Sequence, residues 1–247
     1  MSISHQVAGE LDLLVIGAHP DDAELYAGGT IALLAALGRR VGVLDLTRGE
    51  RATRGSAAER AEEAAAAAQV LGLAGRWNLG LPDAGVLNNE EQRLRLVGQV
   101  RALRPRLIVS HWPQDRHPDH NQAHAMVADV LHLANVGGLQ TEAGRFRPSG
   151  AFWFPGYCPG GDPPPTFIVD ISDFFERKIQ ALRCYRSQLA VSDFKGEPTM
   201  ISSPAFLQWI EARARFYGHR IGVEFGEPFV AAAPLATRDP LSLFPEL

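Results

Sequence analysis

Residues 13–29, LLVIGAHPDDAELYAGG, decide how this chain is read. The first five, Leu13-Leu14-Val15-Ile16-Gly17, form an uninterrupted apolar run, the signature of a strand buried on both faces. A proline-containing turn follows, and Gly28-Gly29 open a second apolar stretch that reads as a helix over 28–38, stopped at Gly38. Strand, tight turn and helix make the opening unit of an α/β protein. In many such units the turn cradles a phosphate, because the free N–H groups of a helix N-terminus attract anions. This turn carries Asp21, Asp22 and Glu24, which would repel one.

The next run, Val41-Gly42-Val43-Leu44-Asp45-Leu46, reads as a second strand, so the outline matches a dinucleotide-binding unit with an acid near the second strand's end. That unit needs GxGxxG so that backbone can approach a pyrophosphate. Here Gly17 is followed by side chains where glycines are required, two of them anionic. The geometry suits a ligand, and the charge suits a cation.

Further along, the alternation continues. The Ala-rich segment 57–71 reads as a helix with Gly72 at its C-cap, and 74–79 as a short strand. Asn88 or Asn89 caps a helix carrying Leu96, Val100 and Leu103, which ends at Arg104-Pro105. Leu107-Ile108-Val109 is another strand, and a helix is expected from His120 to Asn135. Strands separated by helices at this rhythm indicate a Rossmann-like α/β fold with a mainly parallel, doubly wound sheet. The second half is less regular: 137–150 and the CPGGDPPP segment 158–165 read as loops, Phe167–Ile171 as a strand, and 172–185 and 204–217 as helices. No repeat or composition break divides the chain. The expectation is one domain over residues 1–247, with a Rossmann-like core over about 12–135 and an irregular C-terminal elaboration over about 136–247.

The bulk properties narrow the partners. A net charge of -4, from 24 basic and 28 acidic residues, gives no reason to expect nucleic acid or an anionic membrane. Cys158 and Cys184 form neither a disulfide framework nor a CxxC metal site. The N-terminal residues MSISHQVAGELD lack the basic-then-apolar order of a signal peptide, and no apolar run approaches the length of a membrane span, so the expected setting is cytoplasmic.

A divalent cation needs ligands drawn from histidine and carboxylate. His19 and Asp22, three apart on a sharp turn, can lean toward one point. Open α/β sheets bind ligands beyond the C-terminal ends of their strands, which directs attention to the segment after Leu107–Ser110. There the chain reads His111-Trp-Pro-Gln-Asp-Arg-His117-Pro-Asp-His120, the second dense cluster of His and Asp. Both clusters follow apolar strands and both contain His-Pro-Asp. The remaining histidines have plainer readings: His5 in a frayed tail, His132 and His219 on helices without acidic neighbours, and His111 packed at the strand end. His124 stands at i+4 from His120, as in zinc-protease helices, but Asn121 occupies the place of the required glutamate.

With AHPDD after the first strand and HPDH later, the sequence resembles the PIG-L/LmbE-like zinc-dependent N-deacetylases. Segments such as ERAEEA (59–64), NLGLPD (78–83), DRHPDH (115–120), FIVDIS (167–172) and YRSQ (185–188) look closest to the bacillithiol-biosynthesis branch, the N-acetylglucosaminyl-L-malate deacetylases. The resemblance implies His19, Asp22 and His120 as metal ligands, with Zn2+ as the metal; two histidines and a carboxylate also suit Fe2+. It implies Asp21 as the general base and His117 as oxyanion stabiliser, acting as an imidazolium held by Asp119. Arg60 is expected to reach the active site and Arg116 to meet a substrate carboxylate. The partner implied is a small amino-sugar substrate, the malate conjugate first; a thiol conjugate, a chitooligosaccharide or another N-acetyl amino sugar would use the same site, and a non-catalytic nucleotide-binding module is the reading outside enzymes. The family also implies a homo-oligomer, a hexamer among its forms. The CPGGDPPP loop departs from the branch where substrate-facing segments are expected.

Overall fold

The computed structural model describes residues 10–189 and 197–238. His5, most of the N-terminal stretch and the end of the C-terminal elaboration lie outside the described residues. Seven strands form one sheet: β1 (Leu13–Gly17), β2 (Val41–Thr47), β3 (Gly75–Leu81), β4 (Leu107–His111), β5 (Gly150–Phe154), β6 (Phe167–Asp170) and β7 (Gly226–Ala231). Their order is β3-β2-β1-β4-β5-β7-β6, with β1 to β5 mutually parallel and β7 antiparallel to both of its neighbours. The expected mainly parallel α/β sheet is therefore present.

Burial explains why the β1 run is apolar throughout. Leu14 and Ile16 face the cluster under α3 (Glu90–Leu103) and α4 (Pro118–Leu133), while Leu13 and Val15 face the cluster under α1 (Asp22–Ala36) and α2 (Ala57–Leu71). Ser56 and Glu59 form a capping box at the start of α2, and Gly72, at φ 74°, ends it in the left-handed conformation. Of the two asparagines before α3, Asn89 is the cap, accepting from the N–H of Gln92.

Three expectations need correction. Helix α1 begins at Asp22, not at residue 28, so Gly28-Gly29 lie inside it. They are a packing device: a Cβ on Gly29 would stand 2.7 Å from Ile171 Cδ1, and one on Gly28 would stand 3.0 Å from Lys178 Cγ. Helix α4 starts two residues early, at Pro118, whose fixed φ suits the first helical position. Finally, β5 and β7 were not expected. β7 reads GEPFVA, and its buried Glu227 and its Pro228 break the apolar pattern that marks a strand.

The C-terminal elaboration also extends the sheet. A short 3-10 turn (Ser172–Phe174), α5 (Phe175–Arg183) and α6 (Phe206–His219) pack a third apolar cluster around Ile171, Phe175, Ile179 and Phe225, which also takes Leu25 of α1. Glu227 of β7 reaches into the middle of α1. Its carboxylate accepts from the N–H of Gly29 (3.0 Å), the N–H and hydroxyl of Thr30 (2.7 Å each) and the ammonium of Lys178 (2.7 Å).

Candidate metal centre

β2 flanks β1 on one side and β4 on the other, so the strand order reverses between β1 and β4, the switch point where an open α/β sheet offers its crevice. Both His-Pro-Asp turns leave the sheet there. Ser110 Oγ donates to the Ile16 carbonyl at 2.9 Å, tying the two strand ends together beneath them.

The first turn is strained. Asp21 caps α1 at φ 119°, a left-handed conformation that costs a non-glycine residue about 1–3 kcal/mol. Two contacts hold it: the His19 N–H donates to Asp22 Oδ2 at 2.8 Å, and Arg60 of α2 donates to the Pro20 carbonyl. The Arg60 Nη2 also lies 3.1 Å from Asp21 Oδ2, both side chains being buried. Burial pushes the Asp21 carboxyl up to about 7 against the pull of Arg60.

Asp22 is the hub. Its Oδ1 lies 3.3 Å from His120 Nε2, and its Oδ2 lies 3.5 Å from His19 Nδ1 and 3.3 Å from His111 Nε2. Despite complete burial, His120 and His111 hold its carboxyl well below the usual range. Burial presses the His120 imidazole toward neutral, but Asp22 and Asp115 overcome this and lift it to about 9. Asp115 Oδ1 stands 3.1 Å from His120 Nδ1, near enough for charge attraction yet not aligned for a hydrogen bond. The Asp115 carboxylate also accepts from the N–H groups of His117 and Tyr157, and a Cβ on Gly156 would strike it at 2.1 Å.

His111 is fully buried, and burial together with the charge of His120 brings it down to about 4. Its Nε2 accepts the Ala18 N–H at 3.0 Å, so that lone pair is already engaged by backbone. Among the described residues three groups bring ligand atoms within 4.8 Å of one another: His19, His117 and His120; Asp22, His111 and His120; and His19, Asp83 and Asp119. These sets of nitrogen and oxygen donors, which share His19 and His120, suit a borderline divalent cation. Two of these imidazoles are lifted to hold a proton where a cation would replace it. The residues fit a metal.

His117 and Asp119 depart from expectation. His117 is the N-cap of α4, and its Nδ1 accepts the Asp119 N–H at 3.2 Å, leaving the proton of the neutral ring on Nε2. Burial and the neighbouring His19 and His120 hold it below its ordinary value, against the imidazolium expected from sequence. The Asp119 carboxylate does not hold the His117 ring; its Oδ2 lies 3.3 Å from His19 Nε2. Arg60 reaches the site but meets Asp21, with only 5% of its side chain exposed. Arg116 stands at the rim, its guanidinium 4.8 Å from the Tyr157 ring centre. His124 turns away, its Nδ1 2.9 Å from the His111 carbonyl and its ring against Trp153.

Beneath the site, Arg76 of β3 pairs with Asp45 through both oxygens and with the buried Glu24 of α1, which also accepts from the Tyr185 hydroxyl. Sequence reasoning gave no role to Arg76 or Asp115, and it read Glu24 only as part of the acidic turn. Asp115, two residues before His117, carried the one local signal.

Sheet order, crevice position and the paired His-Pro-Asp turns define an α/β protein of the LmbE-like deacetylase fold. The chain belongs to the GlcNAc-PI de-N-acetylase (PIG-L) family, whose profile matches residues 14–131. It is 31% identical to 1D-myo-inositol 2-acetamido-2-deoxy-alpha-D-glucopyranoside deacetylase 1 of Saccharopolyspora erythraea, over 72% of this chain and 77% of that one. It is also 31% identical to the diacetylchitobiose deacetylase of Thermococcus kodakarensis, over 71% and 69% of the two chains. Among solved structures, a conserved protein of Thermus thermophilus superimposes with a TM-score of 0.84 at 40% identity, covering 93% of this chain and 98% of that one. No helix among the described residues is long and apolar enough to cross a membrane.

Proposed function

We propose that this protein is a metal-dependent N-deacetylase that hydrolyses the acetamide of an N-acetylglucosaminide. The observation that carries the reading is the pairing of adjacent carboxylates with separate tasks: Asp22 sits among imidazoles, while Asp21 is turned by its strained backbone onto Arg60. The deacetylase activities of the family relatives from Saccharopolyspora and Thermococcus support the same reaction class.

His19, Asp22 and His120 would hold the cation, Zn2+ or Fe2+, which supplies polarisation of the amide carbonyl and acidification of a water. Asp21 accepts the proton of the attacking water and returns it to the departing amine nitrogen as acetate leaves. Arg60 orients the Asp21 carboxylate and opposes the burial that raises its pKa. The Nε2–H of neutral His117 donates to the carbonyl oxygen as it gains negative charge. Asp119, through His19, belongs to the same assembly.

For the aglycone, the branch-like segments and the rim position of Arg116 favour the L-malate conjugate, whose carboxylates suit a guanidinium. The Thermococcus relative supports a second reading, a chitooligosaccharide deacetylase. The test is acetate release from N-acetylglucosaminyl malate, N-acetylglucosaminyl inositol and diacetylchitobiose, with and without chelator. Full activity in rigorously metal-free protein removes the metal reading. Turnover of the malate conjugate no better than free N-acetylglucosamine removes the malate assignment.

A further inference from the structure

His19 has two ring nitrogens, and only Nδ1 faces Asp22. Its Nε2 lies 3.3 Å from Asp119 Oδ2 and 3.4 Å from Asp83 Oδ1. These carboxylates come from separate segments, Asp83 from the loop after β3 and Asp119 from the first turn of α4. Their side chains are only 9% and 3% exposed.

Neither carboxylate is free to swing. Asp119 Oδ2 accepts the Ala84 N–H at 2.8 Å and Oδ1 the Val86 N–H at 3.3 Å. Ala84 takes a left-handed conformation, φ 54°, to present its N–H. Asp83 Oδ2 accepts the Arg51 N–H at 2.8 Å, and the Asp83 N–H donates to Glu50 Oε1 at 2.8 Å. Two anchored acceptors therefore converge on one ring nitrogen. With no cation among these three groups, which also lie close enough to share one, the imidazole carries a proton on Nε2, since an unprotonated nitrogen would face two carboxylates lone pair to lone pair. With that proton fixed on Nε2, Nδ1 on the Asp22 side is the nitrogen whose proton a cation would displace.

We infer that Asp83 and Asp119 are a two-carboxylate clamp on His19 Nε2–H that fixes the ring and presents Nδ1 as a metal ligand. The inference rests on the proposed role of His19 and makes both acids positioning residues. It gives the loop after β3 a part in cation binding although it supplies no ligand. Outer partners of this kind change metal affinity by about 10–100-fold when removed.

The test has two readouts on Asp83→Asn, Asp119→Asn and the double variant. Zinc affinity, measured by competition with a chromophoric chelator, is expected to fall about 10–100-fold in each single variant. The double variant should fall by less than the product, because both acids act on one hydrogen. In metal-free, 15N-labelled wild type, the His19 Nε2–H is expected as a downfield, slowly exchanging resonance that the double variant loses. Thermal melting of the metal-free variants separates loss of fold from loss of affinity, and Asp83→Asn serves alone if Asp119→Asn fails to fold. Zinc affinities within twofold of wild type in folded variants overturn the clamp. So does a wild-type spectrum without that resonance. A wild type that shows the resonance but binds no zinc leaves the clamp standing and removes the metal reading instead.

Discussion

The two His-Pro-Asp turns have the same three residues, leave neighbouring parallel strands and end up with different work. In the turn after β1 the helix starts one residue past the Asp, so Asp21 is the cap, forced to φ 119°, and its carboxylate lands on Arg60. In the turn after β4 the helix starts at the proline, so His117 is the cap at φ -86° and Asp119 is already helical. A shift of two residues in where the helix begins turns one Asp onto Arg60 and the other back onto His19. The motif supplies the chemistry of the side chains, and its register against the helix assigns their roles.

Removing the carboxylate charge from the strained turn should have the largest effect. Asp21→Asn is expected to lower kcat by about 10²–10⁴-fold while zinc stoichiometry stays at wild type. Wild-type turnover would show that the two Asp residues are not functionally distinct after all. Next, Arg60→Ala leaves Asp21 buried without its cation. A loss of about 3–5 kcal/mol is expected in chemical denaturation. Because Arg60 draws the Asp21 carboxyl down, its loss should also move the ascending limb of kcat/KM to higher pH.

The second turn is open to a pH experiment on metal-free protein. His120, lifted above its unfolded value to about 9, adds stability that is fully present below about pH 6.5 and lost as pH rises through 9. That contribution is on the order of 3 kcal/mol. The melting temperature should therefore fall across this window, and His120→Gln should flatten the profile. A wild-type profile flat from 6.5 to 9 would remove the ion pair with Asp22. The smallest effect expected is for Gly29→Ala in α1, where a new methyl meets Ile171 and should cost about 1–3 kcal/mol in spite of better helix propensity. A stabilised variant would mean that α1 is not held tightly against the segment before α5.

Much of the site was legible because it is local. His19, Asp21 and Asp22 are consecutive or nearly so, as are His117, Asp119 and His120, and each group directly follows a run that reads as a strand. The parallel core was legible for the same reason, from apolar runs at a regular spacing. What could not be read depends on neighbours far along the chain. His111 looks like a residue packed at a strand end, and it becomes part of the centre only because β4 lies beside β1. Glu24 and Arg76 are 52 residues apart and meet under the crevice. Gly28-Gly29 read as punctuation between elements, since nothing local announces Ile171 and Lys178. β7 escaped because a strand holding a buried carboxylate and a proline lacks the pattern by which strands are recognised.

The Glu227 carboxylate, bonded inside α1, imposes an order in time. A ribosome makes this chain from its N-terminus, so the residues of both His-Pro-Asp turns emerge long before the strand that seats the helix beginning at Asp22. Until residue 227 has been added, α1 lacks its buried acceptor, and Lys178 lacks its counter-charge. A nascent chain that has emerged only through α4 carries every proposed metal ligand in sequence without the carboxylate bonded to Gly29 and Thr30 of α1. Among the described residues, the last strand to be synthesised completes the seat of the first helix.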